Sequence, residues 1–334
     1  LDMRELKNRL TDGKSSTNIQ SRRTKSFGYQ VLGFGAGGVE GPRCITYDFF
    51  VAGAGAGGGR VAGGGGGGGG GVYTSYCNAP ISGITKNTDC GAISIQIGVG
   101  GVTGASGATP GSAGGTSIAF KCEPTAVTIK GGGGGSNNHV NGVAAPTPGG
   151  GSGGGGGCYH HCNSTLGGAG SCYGQPGGAV PTRSESYPAG RARAGGGGGV
   201  CVAGSIGGVS GPGAGGNGKV SSIEGTCKNY GCGGTGGCSH NNGVPGVGGR
   251  GDGGLTPGRA AVCGQVATAN QAGGAGGQPA PTCITTGADG VTYLRFPTAC
   301  KPGALAVTPG CNSILTTGSD TVLKFIVSGC VTFS

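Results

Sequence analysis

The sequence predicts a mostly irregular and β fold with almost no α-helix. Its expected form is a bundle of polyglycine-II helices flanked by short β-strands, in a sandwich or jelly-roll-like sheet, and stapled by disulfides. Three observations carry that prediction: 90 of the 334 residues are Gly, short β-branched and aromatic runs alternate with the glycine tracts, and the chain holds 16 Cys but no Trp and one Met.

Glycine decides the class. Each interior Gly costs a helix about 1 kcal/mol relative to Ala, and from Gly28 onward glycines recur every few residues, so any long helix must precede that point. Collagen needs Gly at every third position with abundant Pro; here the glycines come in runs, with only 17 Pro. The best apolar stretches, 45–52 and 322–327, are strand length, well short of the roughly 20 residues of a membrane-spanning helix.

Three regions follow in order. Residues 1–26 are a basic N-terminal arm: positions 1–25 carry seven Lys/Arg against three Asp/Glu and lack the apolar core of a secretory signal. Met3, Leu6 and Leu10 fall on one stripe of a short helix, while Arg22, Arg23 and Lys25 supply positive charge. The arm is therefore expected to attach the chain to a partner subunit. The formal charge of +10 is +4 in the arm and thinly spread elsewhere, a distribution that argues against nucleic acid as partner.

Residues 27–297 form the glycine-rich β/polyglycine-II region. Strand signals lie at 29–34, 45–52, 92–99, 117–121, 126–130 and 290–297, each bounded by Gly or Pro. Between 131 and 278 almost nothing reads as strand, and the tracts 131–135, 153–157 and 195–199 dominate. Ordering a glycine costs on the order of 1–2 kcal/mol of backbone entropy, and it has no side chain to offset this. The backbone itself is the remaining source of order. Extended three-residue-per-turn chains make no internal hydrogen bonds, so all their N–H and C=O groups can pair with neighbours of the same kind. Residues 298–334 are a C-terminal β-strand pair, with strand signals at 304–308 and 321–333.

The 16 cysteines substitute for a deep apolar core. The 158, 162, 172 and 227, 232, 238 spacings contain no C-x-x-C, which favours disulfides over zinc or thioredoxin chemistry. Short loops meet often, so Cys77 with Cys90 and Cys300 with Cys311 are the expected pairs. Cys158 and Cys162, which flank His160 and His161, are read as a stapled turn rather than a metal site.

No motif carries catalysis. The G-x-G-x-x-G match at 33–38 has no helix to follow it, and Gly13-Lys14-Ser15 has Asn8 where a phosphate loop needs its first Gly. Arg250-Gly251-Asp252 and the sequon Asn163-Ser164-Thr165 are read as loop coincidences. His139, His160, His161 and His240 lack an orienting acid or nucleophile. The expectation is a protein that is not an enzyme and takes no cofactor or metal.

The stretch 45–60, an apolar strand running into Val-Ala-Gly, then the glycine run and Val72-Tyr73-Thr74, resembles the opening of glycine-rich bacteriophage tail-fibre and virion proteins. The likeness continues through 93–101 and 111–118 to 290–297, and the tail 318–333 resembles the strand pair that begins another such unit. Similar tracts occur in the glycine-rich extracellular domain of anaplastic lymphoma kinase receptors, in phage fibre-tip adhesins and in springtail antifreeze proteins. The resemblance implies polyglycine-II packing and a structural or adhesive virion component: a fibre, spike or surface-projecting protein at the virion surface. Its partners would be other virion subunits, its own copies as a homo-oligomer, and a host-surface receptor, without membrane insertion. The cysteines depart from the phage pattern and support an alternative, a secreted extracellular filament or matrix protein, with ice binding less favoured because no regular Thr period is present.

Overall fold

The computed structural model describes residues 44–60, 63–78, 80–88, 91–105, 109–137, 140–158, 164–181, 193–208, 211–238, 266–278 and 284–333. Among them there is no α-helix; Thr298–Cys300 is a 3-10 turn. The strands pair antiparallel throughout. The arm and the strand expected at 29–34 lie outside the described residues.

The backbone of the fold is β1 (Cys44–Ala52), an alternating run that grows fully buried toward its end. It pairs with β9 (Val291–Pro297) on one side. On the other side its two halves are shared between β2 (Val72–Thr74) and β3 (Ile84–Asn87). With β11 (Ser313–Thr317) and β12 (Asp320–Phe325) the order is β11-β12-β9-β1-β2, β3 also pairing with β1. A second sheet, β10-β13-β4, joins Leu305–Thr308, Gly329–Phe333 and Ile93–Ile95. Two hairpins complete the set: β5 (Ser117–Ala119) with β6 (Val127–Ile129), and β7 (Lys219–Ser221) with β8 (Lys228–Tyr230).

Strand alternation sends successive side chains to opposite faces, and both faces of the large sheet are covered. Ile45, Tyr47, Phe49 and Val51 join Leu294, Phe296, Leu323 and Phe325 in a core closed by Ile93, Ile95, Val331, Phe120 and Ile129. On the opposite face Phe50, Ala52, Val291, Tyr293 and Val322 pack against Ile223 and Tyr230 of the β7–β8 hairpin. That hairpin lies inside the stretch where the sequence shows almost no strand signal, and its turn is tied down by side chains from β9, β11 and β12.

The glycine segments prolong the strands. Segment 53–60 continues β1, 63–71 runs into β2, 131–137 leaves β6 and 231–238 leaves β8. Every residue of 63–71 is buried, and its hydrogen bonds repeat every third residue. Gly65, Gly68 and Gly71 donate to the carbonyls of Ser136, Gly133 and Lys130; Gly66 and Gly69 to Gly195 and Gly198; Gly67 and Gly70 to Ala275 and Ala272. In return the carbonyls of Gly65, Gly68 and Gly71 accept from Gly59, Ala56 and Gly53. Those of Gly66 and Gly69 accept from Gly155 and Ser152, and those of Gly64 and Gly67 from Gly237 and Gly234. Six segments therefore surround this one, at N···O distances of 2.7–3.3 Å.

A β-strand would direct its bonds to two sides with a period of two; here they go to three directions as donors and three as acceptors. The pattern repeats at 194–199. Its N–H groups donate to 237 and 234, to 156 and 153, and to 205 and 202, while its carbonyls accept from 213 and 216, 66 and 69, and 178 and 175.

Space is what demands glycine in this lattice. A Cβ on Gly67 would lie 2.3 Å from the Ala56 carbonyl oxygen, on Gly66 2.1 Å from that of Gly234, and on Gly55 1.8 Å from that of Gly273. None of Gly64–Gly71 takes a left-handed φ, whereas Gly63 at the segment's start does (+86°). The backbones approach too closely for any side chain, as at the collagen axis.

Candidate functional site

Among the described residues a dense polar constellation sits on the second face of the large sheet, where β8, β9 and β12 meet the turn between β7 and β8. That turn, closed by Gly225 N–H donating to Ser222 O at 2.9 Å, presents Glu224, whose side chain is 5% exposed. Tyr293 Oη donates to Glu224 Oε2 at 3.0 Å, as does Lys324 Nζ at 3.0 Å, while Lys228 Nζ pairs with Oε1. Tyr230 and Tyr293 hydroxyls lie 3.1 Å apart. Burial pushes the Glu224 carboxyl upward, yet the bonds from Lys228, Lys324 and Tyr293 outweigh it and hold the group below its ordinary value. Both tyrosines are raised, chiefly by burial.

Arg295 completes the constellation. Its Nε and Nη2 grip Asp320 Oδ2 at 2.9 and 2.8 Å. Its Nη1 donates to Tyr76 Oη at 3.0 Å and to the Ile223 carbonyl at 3.1 Å. The guanidinium also lies 4.8 Å from the Tyr76 ring centroid. The carboxylate of Glu224 is enclosed and meets two ammonium groups and a phenol, so the arrangement fixes the turn rather than offering a reactive group. Beside it lies a cavity of about 140 Å³ lined by Thr74, Tyr76, Cys77, Lys219–Ser222 and Cys227.

The lattice surface is the other candidate. Val99, Val102, Val266 and Ile284 stand exposed on neighbouring segments joined by Thr103 N–H to Thr285 O and Ala267 N–H to Thr286 O. Leu166, Val202 and Ile206 are exposed as well. They lie on segments that both pair with 174–180. Apolar side chains are thus carried on the outer segments of the lattice, where there is room for them.

Of the residues singled out from sequence, Met3, Leu6, Leu10, Arg22, Arg23, Lys25, Cys90 and Cys162 lie outside the described residues. So do the four histidines, Asn163, the Arg250-Gly251-Asp252 tripeptide and both nucleotide-like motifs. Cys158 is buried and disulfide-bonded. The expected partners Cys300 and Cys311 are not joined: both are free thiols, as is Cys77. Cys44, Cys122, Cys172, Cys201, Cys227, Cys238 and Cys330 are free too. Among the described residues no group of three His, Cys, Asp or Glu is placed to hold a metal ion, and no helix is long and apolar enough to cross a membrane.

Sequence reasoning missed Glu224, Lys228, Tyr230, Tyr293, Arg295 and Lys324. One signal was present: Tyr293 and Arg295 share a face of β9, and β12 sets Lys324 and Val322 opposite them.

A period-three lattice continuous with antiparallel strands is the work of residues 44–297, and the family model of the glycine-rich domain matches residues 27–297. The chain belongs to the glycine-rich domain family. No curated protein and no solved structure is significantly similar to it. In this glycine-rich domain the matched region ends at Pro297, yet β12, beyond it, supplies Val322, Leu323 and Phe325 to the core.

Proposed function

We propose that this chain is a structural and adhesive component of a virion surface, a fibre, spike or projecting protein. Its glycine segments form a polyglycine-II bundle, and residues 1–26 attach it to the particle. One observation carries the reading: segment 63–71 spends its backbone hydrogen bonds on six neighbours, which makes a stiff body from residues that have no side chains. Stiffness of this kind suits a projecting element. In the arm, Met3, Leu6 and Leu10 provide the docking stripe, and Arg22, Arg23 and Lys25 meet acidic groups on the partner subunit.

The 16 cysteines favour a second reading, a secreted filament or matrix protein stapled by disulfides after export. Mass spectrometry of purified particles and of the cell-free medium separates the two. Under the virion reading the chain copurifies with particles, and the triple change Met3→Asp, Leu6→Asp, Leu10→Asp leaves the thermal transition in place while abolishing incorporation. Normal incorporation of that variant rejects the arm as attachment element, and recovery of the chain only from the medium rejects the virion.

A further inference from the structure

Cys77 and Cys227 stand 150 positions apart in the chain, yet both line the cavity beside the Glu224 turn. Both are exposed free thiols. The two turns that carry them are held in place independently of any bond between the sulfurs. On one side Asn78 N–H donates to Ser75 O at 3.2 Å, and Asn78 Nδ2 donates to Thr74 O at 3.0 Å. On the other, Glu224 is locked by Lys324 and Tyr293. A single nitrogen, Arg295 Nη1, binds Tyr76, the residue before Cys77, and Ile223, four residues before Cys227. Cys77 itself has φ +50°, a left-handed conformation uncommon outside Gly, Asn and Asp.

We propose that Cys77 and Cys227 form a disulfide that clamps the β7–β8 hairpin to β2. The oxidant is a small-molecule disulfide of the glutathione class. The thiolate of one cysteine attacks it, forming a mixed disulfide and releasing one small thiol. The second cysteine thiolate then attacks the mixed disulfide, closing the protein S–S bond and releasing the other small thiol. The two cysteine protons end on the two released thiols, and the two electrons reduce the small disulfide. Because β2 is the exit of segment 63–71, the bond would tie the centre of the lattice to the hairpin that covers the second core face. Proximity along the chain had pointed Cys77 to Cys90; a shared cavity points it to Cys227.

The proposal rests on the extracellular reading only for the natural source of oxidant, and the test supplies that oxidant. The full chain is equilibrated in a mixture of oxidised and reduced glutathione, alkylated and digested with trypsin without reduction. Cleavage after Arg60, Lys86, Lys219 and Lys228 places Cys77 in peptide 61–86 and Cys227 in peptide 220–228, each with a single cysteine. Cys90 falls in peptide 87–121. The expected product is 61–86 joined to 220–228, with Tm raised on the order of 5 °C over the reduced chain. In Cys227→Ser both the cross-linked species and that share of the Tm rise are lost. Peptide 61–86 joined to 87–121, or both peptides recovered alkylated and unlinked, overturns the pairing and leaves the localisation reading untouched.

Discussion

A Cβ is the smallest perturbation chemistry offers, and the glycines of this protein divide sharply in their tolerance of it. At Gly67 it would meet the backbone oxygen of Ala56 at 2.3 Å and that of Gly57 at 2.8 Å, and backbone cannot swing aside as a side-chain tip can. At Gly303 nothing lies within 4 Å and φ is not left-handed. Gly67→Ala is therefore expected to destabilise by about 2 kcal/mol or more, the scale of overpacking. Gly303→Ala should be neutral or stabilising by up to about 1 kcal/mol, through the lower entropy of its unfolded chain. Paired urea denaturation curves check both, and equal effects at the two sites would sink the account of why the lattice needs glycine. The sequence sets Gly67 in a run of nine glycines and Gly303 apart from any tract, but which backbone atoms a Cβ would meet is fixed by segments far away in the chain.

At the scale of elements, strands that β-branched and aromatic residues announce are where the sequence expects them: 45–52 lies within β1, β9 lies within 290–297, and β5 and β6 lie within 117–121 and 126–130. The β7–β8 hairpin was illegible because its strands, Lys219-Val220-Ser221 and Lys228-Asn229-Tyr230, are short and polar; of these six residues only Tyr230 enters the core, with Ile223 of the turn beside it. Its stability comes from Glu224, whose partners Tyr293 and Lys324 lie 69 and 100 positions away, and no local pattern reports such a meeting. Glu224 and three buried tyrosines are expected to set the pH range of the fold. Glu224 has a lowered folded pKa, so its contribution is full above the unfolded carboxylate value near 4.3 and is lost as pH falls through the folded value. Tyr47, Tyr230 and Tyr293 have raised folded values, so theirs is full below about pH 10 and is lost as pH climbs above it. Tm is thus expected to plateau between roughly pH 5 and 9.5 and to fall on both sides, with Glu224→Gln flattening the acid limb alone. An acid limb unchanged in that variant would assign it to other carboxylates.

For the whole molecule the question is whether lattice and sheet are one cooperative body. The chain's connectivity argues that they are. Segment 63–71 is bonded to residues as distant as Ala275, and both its ends lead through 53–60 and β2 into the large sheet. Each lattice hydrogen bond contributes about 1 kcal/mol net, against about 1–2 kcal/mol of entropy for each ordered residue. A bundle of bare glycines is therefore marginal on its own, and the apolar cores at its ends must hold it. Phe50 anchors one of those cores, with its ring centroid 4.6 Å from that of Tyr230 and 5.9 Å from that of Tyr293. Phe50→Ala should cost about 3 kcal/mol or more. If sheet and lattice unfold together, that loss passes undiminished to the glycine amides. Hydrogen exchange of Gly65–Gly71 in the variant is then expected to quicken by about two orders of magnitude, matching the amides of β9. Acceleration confined to β1 and β9, with the glycine amides unchanged, would mean that the lattice stands on its own hydrogen bonds.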